Sequence, residues 1–83
     1  MNLVLTKTAF KQLHRLPRRL NEQVLRKLRD LAANPKDPAL DVKTMTGKYR
    51  GYYRIRVGSL RILFFIENED IVISAIGFRG DIY

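Results

Sequence analysis

Three arginines close together in the sequence have the side chains best suited to chemistry on a phosphate. Arg54, Arg56 and Arg61 lie in two alternating apolar and polar stretches on either side of Gly58-Ser59. Arginine presents a planar fork of N–H donors that matches a phosphate group, and it stays charged at any usable pH. Arginines directed at a phosphoryl group also stabilise charge that develops in a transition state.

The alternation predicts a β-hairpin that brings these arginines together. A two-residue loop that begins with glycine favours a tight type II′ turn. With Gly58-Ser59 as the turn, three pairs lie opposite each other: Val57 with Leu60, Arg56 with Arg61, and Ile55 with Ile62. Directly opposed side chains have Cβ atoms roughly 4.5–5.5 Å apart, where like charges are destabilising. A face that crowds three arginines is therefore expected to bind an anion such as phosphate.

The two faces of the predicted hairpin differ in chemistry. One is apolar or aromatic throughout: Tyr53, Ile55, Val57, Leu60, Ile62 and Phe64. The other carries Tyr52, Arg54, Arg56 and Arg61. The same alternation fits an exposed sheet face whose arginines are simply solvated, so a functional and a structural interpretation both stay open. Near the end of the chain, Arg79 and Tyr83 add a further phosphate ligand and a phenol that can stack on a base or handle a proton.

Other catalytic or metal-binding arrangements find little support. The chain has no cysteine and a single histidine, His14, so the ligand sets usual for zinc are missing. Ser59 and Ser74 have no neighbouring base, and there is no glycine-rich phosphate loop. The acidic run at residues 67–70 is predicted to be a polar turn rather than a magnesium site. No metal or other cofactor is therefore expected.

The charge distribution indicates a polyanionic partner. The formal net charge is +8, and all but one of the 16 Lys and Arg lie in residues 1–61. Such a basic chain attracts nucleic acid, an acidic protein segment or an anionic membrane through its long-range field. No apolar run approaches the ~18 residues needed to span a bilayer, and no signal-peptide pattern is present. A cytoplasmic location is expected.

The elements that would position the arginines follow the order β-α-α-β-β-β. At 83 residues, the chain is expected to form a single domain over residues 1–83. Strands are predicted at 2–5, 49–57, 60–66 and 71–78, and the Pro- and Gly-containing segment 34–48 is predicted to be a loop. Helices grouped beside consecutive hairpin strands indicate an α+β fold, with an antiparallel sheet packed against an N-terminal helical hairpin.

The two predicted helices are amphipathic. Thr6 or Thr8 can cap the first helix, and Pro17 ends it or opens the second, which stops at Asn34-Pro35. Apolar stripes are predicted at Phe10, Leu13 and Leu16 in the first helix and at Leu20, Val24, Leu28 and Leu31 in the second. The basic side chains of both helices either contact backbone phosphates or are solvated: Lys7, Lys11, Arg15, Arg18, Arg19, Arg26, Lys27 and Arg29.

Two segments of the chain resemble the RelE/ParE toxin superfamily of type II toxin–antitoxin systems. They are YRIRVGSLRILF at residues 53–64 and IGFRGDIY at residues 76–83. The strand, the helical hairpin and the Leu16-Pro17 joint of the amino-terminal half agree in kind, so the resemblance covers essentially the whole chain. It implies a RelE-like microbial RNase fold and favours the RelE-like branch over the ParE-like one.

The resemblance implies an mRNA endoribonuclease. RelE toxins enter the ribosomal A site and cut mRNA without a metal, through attack of the ribose 2′-hydroxyl on the adjacent phosphate. The implied catalytic residues are Arg54 and Arg56 at the positions of a lysine pair, Arg61 at a phosphate-stabilising arginine, Arg79 near the leaving group and Tyr83 at a late tyrosine. RNA contacts are expected from residues that precede or open the hairpin: Lys43, Lys48, Arg50 and Tyr52.

Arginine at both lysine positions puts the general base in question. Lysine can lose its proton when its surroundings disfavour the charge, whereas arginine essentially never does. Phosphate binding and charge stabilisation survive the exchange better than proton abstraction does. Tyr83 or the ribosome is then expected to assist.

The resemblance also implies a cognate RelB-like antitoxin that wraps the toxin, in addition to the ribosome and mRNA. The net charge of +8 favours an acidic antitoxin segment. Contact with DNA is expected only through the antitoxin complex, and no membrane contact is expected. Two alternatives stay open: a ParE-like inhibitor of DNA gyrase, and an inactive member that only binds its antitoxin.

Overall fold

The computed structural model follows the predicted order of elements, with one short strand added. It describes residues 1–78 and Gly80, so the predicted site residues Arg79 and Tyr83 lie outside the described residues. The strands are β1 (Asn2–Leu5), β2 (Lys43–Thr44), β3 (Tyr53–Val57), β4 (Leu60–Glu67) and β5 (Asp70–Phe78), and the helices are α1 (Lys7–His14) and α2 (Arg18–Ala33). Two 3-10 turns, Pro38–Leu40 and Gly47–Tyr49, lie on either side of β2.

The strands form one mixed sheet in the order β1-β5-β4-β3-β2. The pairs β3–β4 and β4–β5 are antiparallel, as predicted, and the unpredicted strand β2 is also antiparallel to β3, whereas β1 runs parallel to β5. A parallel neighbour is possible here because β1 is connected to the other strands through both helices, and a parallel pair requires such a long crossover. The predicted α+β class is confirmed, with β1 as an addition to the antiparallel set.

The predicted hairpin is confirmed in turn and register. Val57 lies opposite Leu60, and Arg56 lies opposite Arg61. Gly58 has a φ of 60°, and Ser59 is not among the described residues with positive φ. A type II′ turn needs positive φ only at its first central position, which glycine adopts without steric cost.

The segment before the hairpin differs from the prediction. Residues 43–44 of the predicted loop pair with Tyr53 and Arg54 as the short strand β2. The predicted strand at 49–57 begins only at Tyr53, because the Gly47–Tyr49 turn and Gly51, with a φ of 95°, interrupt extended backbone. A two-residue strand is too short for its side-chain alternation to be seen in the sequence.

The helices begin and end where their capping residues predict. The Thr6 hydroxyl accepts a hydrogen bond of 3.1 Å from the backbone N–H of Ala9 at the start of α1. Pro17 directly precedes α2, and Asn34 follows its last residue. Val24, Leu28 and Leu31 are buried, which confirms the predicted stripe of α2.

The predicted apolar stripe of α1 is wrong at one position. Ala9 and Leu13 are the buried residues of this helix, whereas the Phe10 side chain is 54% exposed. Positions 9 and 13 are one turn apart and set the face toward the sheet, so position 10 is rotated toward its edge. In a helix of eight residues, two apolar faces share too few positions for spacing alone to identify the buried one.

The core lies between the helices and one face of the sheet. It joins Ala9, Leu13 and the α2 stripe to alternate residues of β3 and β4, such as Ile55 and Ile62, and to Ile73 of β5. Their neighbours in sequence consequently point to the opposite face of the sheet, which the helices do not cover. Neither described helix combines the length and the apolar character required to cross a membrane.

Side chains of α1 continue the hydrogen bonding of β5 where β1 ends. β1 pairs with β5 only as far as Leu5 opposite Ile73. The Thr6 hydroxyl then donates to the carbonyl oxygen of Ser74 at 3.0 Å, and the backbone N–H of Ile76 donates to Gln12 Oε1 at 2.7 Å. These bonds hold the final part of β5, which leads to Arg79 in the sequence.

Candidate functional site

Three arginines lie on the face of the sheet opposite the helices. Arg54 and Arg56 are two residues apart on β3 and therefore point to the same side. Arg61 on β4 lies directly opposite Arg56 in the register. We call the surface formed by Arg54, Arg56 and Arg61 the arginine face. The structure thus brings together the three predicted catalytic residues that it describes.

Arg54 has a charged donor in an unusual setting. Its Nη1 is buried and has no hydrogen-bond partner within the described residues. Burial of an unpaired donor costs about 1–3 kcal/mol, and more for a charged group. Among the described residues, Arg54 therefore keeps a charged donor that has no acceptor.

The other two arginines are more accessible. Arg56 is exposed, whereas Arg61 is half-buried. Arg61 Nη1 donates to the carbonyl oxygen of Ser59 at 3.4 Å, a long bond that holds the guanidinium over the turn only weakly. The two ion pairs of residues 1–78, Arg18 with Glu22 and Lys43 with Asp41, do not include any residue of the arginine face. Its positive charge is therefore not neutralised by the described side chains.

An apolar and aromatic patch borders the arginines on the same face. Leu63 is paired with Arg54 in the register and is only 2% exposed, although it does not belong to the core cluster beneath the helices. The ring of Phe65 contacts that of Tyr52 edge-to-face, with centroids 5.2 Å apart. Tyr52 in turn contacts Tyr49 at 5.9 Å. Together these side chains form an apolar and aromatic surface beside the arginines.

The sequence interpretation missed Leu63 and Phe65 as members of this face. The signal was present, because both residues continue the alternation of Arg61 along β4. An apolar side chain in an alternating strand is ordinarily assigned to the core. Only the position of the helices shows that these two residues lie on the other side.

The predicted RNA-binding residues fall into two groups. Lys43 lies opposite Arg54 in the register and forms an exposed ion pair with Asp41 at 3.4 Å, while Tyr52 belongs to the aromatic patch. Lys48 and Arg50 lie in and directly after the Gly47–Tyr49 turn. The Lys48 ammonium is 5.3 Å from the Tyr49 ring centroid, and the Arg50 side chain is exposed. Lys43 and Tyr52 thus adjoin the arginine face. Lys48 and Arg50 lie farther from it, at the Gly47–Tyr49 turn.

A groove continues the basic surface around the free edge of β3 toward α2. Its volume is about 380 Å³. β2 pairs only with the first two residues of β3, so the later part of that strand lies at the edge of the sheet. The groove is lined by residues of α2 and of the hairpin: Gln23, Arg26, Lys27, Asp30, Arg56, Val57 and Gly58. Three of these side chains are basic and one is acidic.

Comparison with known proteins identifies relatives over the full length of the chain. Residues 3–83 match the family described as "ParE toxin of type II toxin-antitoxin system, parDE". Toxin RelE3 of Methanocaldococcus jannaschii is 29% identical over 85 residues, which cover 100% of this chain and 96% of that protein.

Solved structures agree with this assignment. A chain of the toxin–antitoxin complex RelBE2 from Mycobacterium tuberculosis is 28% identical, with a TM-score of 0.80 over 94% of this chain and 96% of that chain. A chain of the RelB–RelE antitoxin–toxin complex from Methanococcus jannaschii is 27% identical, with a TM-score of 0.79 over 96% and 94%. The chain therefore belongs to the ParE toxin family, within the RelE/ParE superfamily of type II toxin–antitoxin toxins, and has RelE-like toxins among its relatives.

Proposed function

We propose that this toxin is a ribosome-dependent mRNA endoribonuclease whose arginine face holds the scissile phosphate. The observation that carries the proposal is the buried Nη1 of Arg54, which has no partner within the described residues and lies beside two further arginines of one sheet face. The similarity to toxin RelE3 supports a RelE-like action on RNA over binding of another polyanion. Action on translating ribosomes would take place in the cytoplasm.

In the proposed reaction, the ribose 2′-oxygen attacks the adjacent phosphorus while the bond to the 5′-oxygen breaks. The 2′-hydroxyl proton passes to a base, and the departing 5′-oxygen receives a proton, which leaves a 2′,3′-cyclic phosphate and a 5′-hydroxyl. Arg54 binds a non-bridging oxygen through Nη1, which has no partner within the described residues, and Arg61 stabilises the negative charge that grows on the phosphoryl group. Arg56 adds positive charge at the strand edge.

The base is not supplied by the arginine face. Arginine keeps its proton at any usable pH, so Arg54 and Arg56 act as donors and as fixed charges. By the resemblance, proton transfer falls to Tyr83 or to a ribosomal group, and Arg79 lies near the leaving oxygen. Neither residue is among those that the structure describes.

The aromatic patch orients the RNA in this proposal. A base next to the scissile phosphate stacks on Tyr52 or Phe65, which lie on the arginine side of the sheet. Lys43, Lys48 and Arg50 contact neighbouring phosphates without reading sequence.

A RelB-like antitoxin is the proposed natural inhibitor. The similar chains from Mycobacterium tuberculosis and Methanococcus jannaschii come from complexes with antitoxins. We expect an acidic segment of the cognate antitoxin to cover the arginine face, because the net charge of +8 favours it and Arg54 Nη1 lacks a partner. An antitoxin complex that leaves this face open would refute direct blocking.

The decisive experiment is induction of the toxin in cells, followed by mapping of mRNA 5′ ends. The proposal predicts cuts within translated codons, and Arg61→Ala should reduce their rate about 100-fold or more because a charge-stabilising donor is lost. Arg19→Ala, at an exposed position of α2, is the matched control and should cut like the wild type. Full cutting by the Arg61→Ala variant would remove Arg61 from the mechanism.

Inhibition of DNA gyrase is the second candidate, because the matching family is described by its ParE members. Intact mRNA together with DNA damage and stalled gyrase in the same induction would establish it over the ribonuclease. Intact mRNA without gyrase arrest, combined with tight antitoxin binding, would indicate an inactive toxin that serves only as an antitoxin partner.

A further inference from the structure

The outward face of α1 carries a stripe that the proposed reaction does not use. Its members follow the spacing i, i+3, i+4 and i+7, which places them on one side of a helix. All four side chains are exposed: Lys7, Phe10, Lys11 and His14. We call this surface the α1 stripe. The buried residues of the same helix, Ala9 and Leu13, face the sheet instead.

The centre of the stripe is a pair of aromatic rings. The ring centroids of Phe10 and His14 are 4.2 Å apart, with a tilt of 37° between their planes. A hydrogen-bond contact of 3.0 Å between His14 Nδ1 and the carbonyl oxygen of Phe10 fixes the histidine against the helix. Phe10 is nevertheless 54% exposed, the largest value among the exposed large hydrophobic residues described. The pair is therefore an ordered aromatic surface open to a ligand.

The surroundings of these rings are positively charged. Lys7 and Lys11 lie within one turn of Phe10, and Arg15 follows the helix at its C-cap. No acidic residue occurs in α1, and neither ion pair of the described residues involves it. Exposed aromatic rings that alternate with cations are the chemistry that unpaired nucleotides recognise, through base stacking and phosphate contacts.

We propose that the α1 stripe is a second RNA-binding surface, on which an unpaired base stacks against Phe10 and the flanking phosphates contact Lys7 and Lys11. The choice of RNA as the polyanion rests on the proposed function. An acidic peptide is the competing ligand, and the binding test distinguishes it from RNA.

The α1 stripe and the arginine face are separate surfaces. α1 lies on the helix-covered side of the sheet, and the arginine face lies on the other side. The molecule measures 30 × 28 × 24 Å, so an RNA that contacts both surfaces must extend around it. In this proposal, the α1 stripe binds RNA outside the cleaved segment, while the arginine face takes the substrate strand.

The test measures binding of the full-length toxin to a fluorescent 12-nucleotide single-stranded RNA and to purified ribosomes, at several salt concentrations. Phe10→Ala should weaken both affinities about tenfold, because a base stack of this kind contributes about 1–3 kcal/mol. Phe10→Tyr should bind like the wild type, whereas Phe10→Leu should resemble Phe10→Ala because leucine is apolar but cannot stack.

The salt dependence tests the two lysines. The double change Lys7→Gln and Lys11→Gln should lower the slope of log affinity against log salt concentration by about 1.4, whereas Phe10→Ala should leave this slope unchanged.

Matched controls are available elsewhere on the surface. Ile66, which is 42% exposed, provides Ile66→Ala as the loss of an exposed apolar side chain, and Lys36→Gln removes an exposed cation outside α1. Both should bind RNA like the wild type, and all variants should keep the wild-type melting temperature within a few degrees. Unchanged RNA affinity of Phe10→Ala, or equal loss in the controls, overturns the proposal. Weaker binding of an acidic peptide with unchanged RNA binding overturns it in favour of a protein partner.

The same measurements separate this inference from the proposed function. If the wild-type toxin cuts mRNA but Phe10→Ala binds RNA normally, the α1 stripe has no role and the ribonuclease proposal stands. If the toxin does not cut mRNA but Phe10→Ala loses RNA affinity, the RNA-binding surface stands and the ribonuclease proposal fails.

Discussion

The two faces of the β3–β4 hairpin show how adjacent residues of one strand can serve opposite purposes. On the helix side, Ile55 and Ile62 lie opposite each other and are fully buried in the core. On the other side, Arg56 and Arg61 lie opposite each other with their charges unpaired by the described residues. Burial of apolar side chains on the helix side stabilises the fold, whereas the arginine side holds like charges close together. The comparison indicates that the core side stabilises the arrangement of the arginine side.

The largest expected effect on this comparison comes from the core side. Ile62→Ala should lower the free energy of unfolding by about 2–5 kcal/mol, because it leaves a cavity beneath the helices. Denaturant unfolding of the toxin measures this loss. Activity per folded molecule should change little, since no arginine is altered. A variant that keeps wild-type stability would contradict the assignment of Ile62 as a core residue.

Arg54→Met should have opposite effects on stability and on RNA binding. Removal of Nη1 should leave the free energy of unfolding unchanged or raise it by about 1 kcal/mol, since this buried donor has no partner to lose within the described residues. Affinity for RNA should fall, because that donor is the proposed phosphate ligand. Denaturant unfolding and RNA titration measure the two quantities.

Arg19→Met at an exposed position of α2 serves as the control for the Arg54 variant. It should leave unfolding and substrate binding close to those of the wild type. If Arg54→Met destabilises the toxin by more than 1 kcal/mol, Nη1 has a native partner, and the arginine is structural rather than poised for an anion.

A smaller effect is expected at the link between α1 and β5. Gln12→Leu should reduce the free energy of unfolding by about 1 kcal/mol, because the backbone N–H of Ile76 loses its side-chain acceptor. Hydrogen exchange should accelerate at the Ile76 amide more than at Ile62, which lies within the hairpin. Gln23→Leu on α2 is the control, since the Gln23 side chain makes no hydrogen bond within the described residues. Equal exchange rates at Ile76 in the wild type and the Gln12 variant would show that this bond does not hold the strand.

Local pattern was sufficient for most of the secondary structure and for the hairpin register. Gly58-Ser59 specifies a tight turn, and the turn together with strict alternation leaves one register that keeps the apolar side chains on one face. The stripe of α2 was equally clear because it extends over roughly three turns of helix. The buried face of α1 was misassigned because eight residues offer few positions, and β2 was missed because two residues show no period.

Some features of the candidate site likewise followed from local sequence, and others did not. That Arg54, Arg56 and Arg61 share a face followed from the alternation, since side-chain direction in a strand is a local property. That Arg54 Nη1 is buried and that Leu63 and Phe65 border the arginines did not follow, because burial depends on chain segments distant in sequence. Whether the RNA-binding roles of Lys43, Lys48, Arg50 and Tyr52 are correct stays a prediction, as do the roles of Arg79 and Tyr83.

The sequence by itself determined the family resemblance, the turn, the register and the convergence of three arginines, since all depend on residue types and spacing along a short stretch. Only the tertiary structure decided which sheet face the helices cover, which donor of Arg54 is left unpaired, and that Phe10 lies outside the core. The physical reason is that burial is a collective property: a side chain is removed from water by neighbours from other elements, and those neighbours are placed only when the whole chain packs.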